Sequence, residues 1–132
     1  ITIEVKFGID YSLAELSLVV YVLEDDLFSN QENYTSYYGG ASVLTNFEHD
    51  HVLRASLTDL LGDPIPQSST TADNIFTQTI TTNVPSNVSN SDNLSVVAFV
   101  VNASGNGTPG SSNQAINVRS AHFGDTQTLQ EL

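Results

Sequence analysis

Short stretches of alternating apolar and polar residues recur along this chain. Residues 1–7 place apolar side chains at every second position, which is typical of a strand with one buried face. Residues 74–84, which are rich in Thr, and residues 114–123 alternate less regularly and are also strand-like. Residues 13–23 and 94–103 contain continuous runs of β-branched and aromatic residues, as central strands of a sandwich do. Turn-forming clusters separate these segments, and strands do not alternate with helices. The pattern predicts an all-β chain folded as an antiparallel β-sandwich.

Two segments carry a weaker pattern. Residues 27–46 are mostly polar, and we predict a long loop after the second strand, packed over one end of the sandwich. Residues 46–57, NFEHDHVLRASL, alternate like a strand, but their leucines and those that follow also fit one face of a helix. Because an Asp-Pro pair stops the element, we favour a strand to about Leu57 and then a helical turn through Leu61.

The length of 132 residues suits a single domain. We expect the sandwich to occupy residues 1–124, with a flexible hairpin-like loop at 104–113 and a frayed tail at 125–132. The longest fully apolar run, LVVYVL at 18–23, is far shorter than the ~20 residues of a membrane-spanning helix. No direct membrane insertion is therefore expected. The first residue is Ile1, and we expect the chain to be a piece of a longer protein.

The charge of the chain excludes some partners. Fifteen Asp and Glu residues face three Lys and Arg residues, for a formal net charge of −12. Three cations cannot build the basic patch that phosphate backbones or anionic lipid surfaces need, so nucleic acid is excluded as a partner. The chain has no Cys, which rules out thiolate metal sites and redox couples within it. Most carboxylates must therefore be solvated, cap backbone amides or bind a cation.

Four segments carry a family pattern in their order and spacing, from about Val19 to Gly124: VVYVLEDDLFSNQ, FEHDHVLRASLTDLLGDPI, LSVVAFVVNA and QAINVRSAHFG. Together they resemble the C-terminal region of the Omp28-related family of gram-negative outer-membrane lipoproteins. The most specific part is HDHVLR with the GDPI that follows it. The resemblance implies an Ig-like β-sandwich at the end of an exported, lipid-anchored parent at the outer membrane or cell surface. It also implies an upstream thioredoxin-like portion with a Cys-x-x-Cys motif. This chain contains no Cys, so the motif is not part of it.

The HDH motif raises a metal hypothesis. On one strand His49 and His51 point to the same face, and His122 on another strand could supply a third nitrogen. Three histidines with an open position suit catalytic zinc, which would make the protein a metal-dependent hydrolase with a nearby carboxylate as general base. The alternative is that the imidazoles lie at the rim of the sandwich and bond to backbone carbonyls or to Glu48 and Asp50. We favour this structural interpretation.

Arg54 and the acidic run Glu24, Asp25 and Asp26 are further candidates. Arg54 is expected to pair bidentately with Glu24 or Asp25 at the end of the central strand; the functional alternative is binding of a carboxylate or sugar ligand. The acidic run offers the oxygen ligands that calcium prefers, although it lacks the spacing of an EF-hand loop. Calcium and zinc are therefore the cofactors to consider, and a calcium-stabilised adhesion module is one functional alternative.

The aromatic residues Tyr34, Tyr37 and Tyr38, followed by a Gly-Gly pair, are typical of a surface that contacts glycans or peptides. The alternative is a loop that folds back and buries them on the sandwich, and the sequence does not decide between the two. The leading hypothesis is a non-catalytic accessory or recognition module of an exported outer-membrane lipoprotein. Its loops would bind a protein or glycan partner, and an enzyme is the less favoured interpretation.

Overall fold

The computed structural model describes residues 1–103 and 114–129. Over these ranges the chain forms nine β-strands and three short 3-10 turns, with no α-helix. The predicted hairpin-like loop at 104–113 lies outside the described residues. The strands are β1 (Thr2–Lys6), β2 (Leu16–Glu24), β3 (Leu27–Glu32), β4 (Val43–His49), β5 (Val52–Ser56), β6 (Asp63–Pro64), β7 (Ile75–Thr79), β8 (Leu94–Asn102) and β9 (Gln114–His122).

A five-stranded antiparallel sheet forms the centre of the fold. Its order is β5-β2-β8-β9. The edge of β2 that pairs with β5 also pairs with β6, at Ser17 and Leu18. β2 and β8 pair along their whole length, from Leu16 opposite Asn102 to Glu24 opposite Leu94. The continuous apolar runs of β2 and β8 suit this position, because a central strand buries side chains on both faces.

The smaller sheet of β1 and β7 packs on one face of the central sheet. Alternation along β1 and β7 turns Ile3, Val5 and Phe76 toward that face, where they meet the buried core. Two facing antiparallel sheets around one core make an Ig-like β-sandwich, so the predicted all-β fold is confirmed. The buried members of the core cluster are Phe7, Leu16, Leu18, Val20, Ile65 and Val100.

The prediction of a long loop over residues 27–46 is wrong. This segment supplies both strands of an antiparallel hairpin, β3–β4, which pairs with no other strand in the part of the chain that the structure describes. Neither strand contributes to the buried core, and Phe28 is 56 % exposed. A hairpin that buries so little has no need of alternating apolar residues, which is the signal by which strands are recognised.

The predicted single strand through the HDH motif is broken in two. β4 ends just before Asp50 and β5 begins just after His51, which has a φ of +56°. The expected helical turn through Leu61 is instead one tight turn, in which the Gly62 N–H donates to the Asp59 carbonyl at 2.8 Å. Strand pairing of β5 with β2 therefore overrides the helical leucine spacing.

The described part of the expected tail, residues 125–129, returns along β9. The Gln127 side-chain amide donates to the Ser120 carbonyl at 2.7 Å, and the Arg119 guanidinium donates to the Thr128 carbonyl at 3.2 Å. These two bonds hold the tail against the last strand.

Candidate functional site

The EDD run and the HDH motif face each other at a kink, where β2 and β5 continue into the hairpin β3–β4. The Asp25 carboxylate accepts the His51 N–H at 2.6 Å, and the Asp50 carboxylate accepts the Asp26 N–H at 3.1 Å. Asp26 and His51 have positive φ values of +58° and +56°, so the regular ladder cannot pass through them. Each carboxylate accepts a backbone N–H at the bend, in place of the carbonyl that a regular ladder would supply. The two bonds therefore fix the point at which the hairpin leaves the sandwich.

The structure does not bring the three histidines into one metal site. Among the described residues, the single group of three candidate ligands within 4.8 Å of one another consists of carboxylates. The His49 ring lies edge-on to Phe47 at 5.2 Å, and its buried Nε2 has no hydrogen-bond partner there. The His51 side chain is 74 % exposed and lies 3.8 Å from the Asp25 carboxylate, while His122 ends β9. The motif contributes to the kink, through the His51 N–H and the Asp50 carboxylate.

Arg54 joins three segments of the sandwich through Glu24. The Arg54 Nε donates at 2.6 Å to the Glu24 carboxylate, whose side chain is fully buried. The same carboxylate accepts the N–H of Asn90 at 2.6 Å and that of Ser89 at 2.8 Å. Burial raises the pKa of Glu24, but the Asn90 N–H, the Arg54 guanidinium and the Ser89 N–H together hold it below its usual value. The pairing runs through Nε alone instead of the bidentate fork expected from the sequence.

An acidic cluster, Asp26, Glu48 and Asp50, lies exposed at the kink, with one carboxylate oxygen of each residue within 4.8 Å of the other two. Repulsion from Asp50, then partial desolvation and contact with Asp26, raises the pKa of Glu48 above its usual value of 4.5. Of the acids considered for calcium from the sequence, Asp26 belongs to this cluster, while Glu24 and Asp25 are engaged in the bonds described above. Calcium binding by the run Glu24, Asp25 and Asp26 stays a prediction.

Asp50→Asn is expected to raise the melting temperature by about 1–3 °C at about pH 7, because it removes repulsion and keeps the Oδ1 that accepts the Asp26 N–H. A raised carboxyl pKa means that the fold binds this proton more tightly than the unfolded chain does. The repulsion therefore costs stability above the raised pKa of Glu48 and disappears below about 4.5. Thermal melts across this pH range should show the advantage of Asp50→Asn growing as pH rises. An advantage that is the same at every pH, or that exposed Asp73→Asn matches, would contradict the assignment.

Three tyrosines stand out from the connection between β3 and β4. Tyr34 is 91 % exposed, Tyr37 is 74 % exposed and Tyr38 is 69 % exposed. The Tyr38 ring meets Phe47 edge-on at a centroid distance of 6.2 Å, so it is anchored at one side. Of the two alternatives left open by the sequence, the structure shows exposure: the connection does not bury these rings on the sandwich.

The Asn33 side chain holds this connection in shape. Its amide nitrogen donates to the carbonyls of Tyr37 at 3.0 Å and Ala41 at 2.9 Å, and its amide oxygen accepts the Thr35 N–H at 3.0 Å and hydroxyl at 2.7 Å. One amide therefore bonds across both ends of the loop. These bonds restrain the backbone that carries the tyrosines, so binding through them would cost less conformational entropy.

An open groove of about 510 Å³ follows β4 next to the tyrosine loop. Six consecutive residues, 43–48, line it, so side chains from both faces of β4 contribute to its walls. Phe28 and Tyr38 add aromatic area, and Glu48 stands at the acidic end. Sequence reasoning missed Phe28 because it treated residues 27–46 as a loop, and it considered Glu48 only as a bonding partner of the imidazoles. A signal was present in Asn33-x-Thr35, since Asn with a hydroxyl two residues later is typical of a side-chain-closed turn.

A model of a known protein family, described as "Outer membrane protein Omp28", matches residues 1–127. The chain belongs to this family. Its location is therefore the outer membrane or cell surface, as the sequence pattern implied. The block HDHVLR, the most specific part of that pattern, runs through the kink and on to Arg54 in this Omp28 family member.

One solved structure to which this Omp28 family member is similar is HBP35 of Porphyromonas gingivalis, with a TM-score of 0.62 and 20 % sequence identity. The match covers 99 % of this chain and 39 % of that one, so the chain spans well under half the length of that protein. At this identity the similarity supports the sandwich fold alone. No curated protein matches. Over residues 1–103 and 114–129, the structure contains no helix that is long and apolar enough to span a membrane.

Proposed function

We propose that this domain is a non-catalytic recognition module of an outer-membrane lipoprotein, and that it binds a protein or glycan partner through the connection between β3 and β4. The observation that carries the proposal is the display of Tyr34, Tyr37 and Tyr38, each more than two-thirds exposed, on a loop held by Asn33. Rigid, exposed aromatic side chains are the residues that recognition surfaces use for affinity.

The contacts of the other candidates give them structural roles in place of catalytic or ligand-binding ones. Arg54, which a ligand-binding role would leave accessible, donates to the buried carboxylate of Glu24. His51 presents its backbone N–H to Asp25, and its side chain is not gathered with the other histidines among the residues described. The hydrolase alternative therefore has less support than the recognition module.

The kink gives the module a suitable geometry. β3 and β4 leave the sandwich at the reciprocal Asp25 and Asp50 bonds, and the tyrosines lie at the far end of this hairpin. In a parent anchored by lipid, as the family resemblance implies, the sandwich would act as a spacer that presents the hairpin to an extracellular partner.

The combined variant Tyr34→Ser, Tyr37→Ser and Tyr38→Ser is expected to weaken binding at least about tenfold, because it removes three accessible aromatic contacts. The measurement is binding of the labelled domain to a printed array of defined short glycans and peptides. The melting temperature should stay close to that of the wild type, since exposed rings contribute little to the core.

The matched control is Ile9→Ser with Leu13→Ser, which removes apolar side chains that are 62 % and 94 % exposed outside the hairpin. This control should retain the wild-type binding pattern. A wild-type domain that binds nothing on the array, or a tyrosine variant that keeps the wild-type pattern, would count against the recognition module.

A further inference from the structure

We propose that the groove along β4 binds a basic polypeptide segment in which a Lys or Arg side chain neighbours an apolar one. This inference rests on the proposed recognition function and deepens it by naming the class of partner. Two independent features of the groove support it: its aromatic lining and its acidic end.

The apolar half of the site is formed by side chains that lie outside the buried core. Phe28 is 56 % exposed and Val43 is 39 % exposed, and both line the groove together with Tyr38 and Phe47. The volume of about 510 Å³ lies in the range of about 300–1,000 Å³ in which ligand sites accommodate a molecule larger than a single side chain. Several neighbouring apolar groups of a partner could therefore be buried together.

The polar half of the site selects positive charge. Glu48 lines the groove directly opposite Phe28 in the hairpin, and Asp26 and Asp50 stand beside it. A cationic side chain placed here would relieve the crowding of carboxylates and could also lie against the Phe28 ring. An ammonium or guanidinium group next to apolar surface is the chemistry that matches both ends of the groove.

The partner segment must differ in composition from this domain. The chain has three cations against fifteen acids, and Arg54 is committed to Glu24. A second copy would bring its own net charge of −12 to an acidic surface, so self-association through this groove is disfavoured. A basic partner is instead attracted over long range, with an association rate that falls as salt is added.

The edge of β4 favours a polypeptide over a free amine. β4 pairs with β3 on one side and with no strand on the other side in the described part of the chain. An extended segment can form backbone hydrogen bonds with such an edge while its side chains enter the groove. The register shift opposite Asn46, which has a φ of +55°, restricts this pairing to a short stretch.

The test is titration of the intact domain with an acetylated and amidated peptide of alternating Leu and Lys, followed by calorimetry and by NMR shifts of the hairpin amides. Oligolysine, spermine, calcium chloride and the matching Leu and Glu peptide are the comparison probes. We expect the Leu and Lys peptide to bind most tightly, with weaker binding in higher salt. Phe28→Ser should weaken it about tenfold, and so should Asp26→Asn, Glu48→Gln and Asp50→Asn combined.

The charge-matched control is Glu4→Gln, Asp73→Asn and Asp92→Asn combined, which also removes three exposed carboxylates, all outside the hairpin. It should change the affinity less than about twofold. The proposal is overturned if this control weakens binding as much as the cluster variant does, or if oligolysine, spermine or calcium binds as well as the Leu and Lys peptide. Equal binding of the Leu and Glu peptide also overturns it.

The same variants separate this inference from the proposed function. If the array ligands depend on the tyrosines while no basic peptide depends on Phe28 or the acidic cluster, the recognition module stands and the basic partner is wrong. If neither the tyrosine variant nor the groove variants affect any probe, both are wrong. Folding of each variant is checked by its melting temperature.

Discussion

Arg54→Ala is expected to lower the melting temperature by on the order of 10 °C, since it leaves a buried carboxylate without its cationic partner. Glu24 is fully buried, and Arg54 supplies its only cationic contact among the described residues. The change also removes the 3.4 Å contact from Arg54 to the Ser89 hydroxyl. The loop before β8 should therefore loosen together with β5, and thermal melts followed by circular dichroism will measure the loss.

The pH dependence gives a second readout of the same pair. Because the pKa of Glu24 is lowered in the fold, the ionised carboxylate adds stability above its usual pKa, and this stability is lost as pH falls through the lowered value. Arg54→Ala should flatten this acid-side loss. Arg119→Ala, which removes an exposed arginine with a single bond to the tail, is the matched control and should change the melting temperature little. Equal effects of the two alanine variants would contradict the role given to Glu24.

Gly62→Ala should destabilise the sandwich by about 2–4 kcal/mol, through overpacking added to backbone strain. Gly62 has a φ of +98°, and a Cβ atom there would lie 2.9 Å from the Leu18 carbonyl oxygen, the Ser17 Cβ and a Val19 methyl. These atoms belong to β2, the best-buried strand, and cannot give way without moving the sheet. Denaturant unfolding monitored by circular dichroism measures the loss.

Gly39→Ala separates the two causes. Gly39 also has a positive φ, +73°, but a Cβ atom there meets nothing within 4 Å. It should cost only about 1–2 kcal/mol of conformational strain, so the difference between the variants reports the close approach of Gly62 to β2. Equal losses in the two variants would show that the turn from Asp59 to Gly62 does not pack on β2 as described.

The strands that build the core could be predicted from the sequence because burial controls their composition. β1 shows alternation because one of its faces meets the core, and β2 and β8 are mostly apolar because their residues are buried or half-buried on both faces. The pairing of Arg54 with an acid at the end of the central strand was also predictable, because a chain with three cations has few ways to compensate a buried carboxylate.

The candidate site was harder to predict because it depends on exposed residues and on bends. β3 and β4 bury too little to need an apolar pattern, so residues 27–46 of the hairpin were predicted as a loop. The kink depends on positive φ values at Asp26 and His51, which residue types permit without requiring. The tyrosines were identified, but their exposure is set by the Asn33 bonds, which connect residues across the loop.

The most direct test of the displayed aromatic hairpin is the relative rate of nitration of the five tyrosines by tetranitromethane, resolved by mass spectrometry of proteolytic peptides. Tyr34, Tyr37 and Tyr38 should react first. Tyr11, which packs against the core, and Tyr21, whose hydroxyl donates to the Leu60 carbonyl, should react much more slowly. Slow reaction of the three hairpin tyrosines, at the pace of Tyr11, would contradict the account.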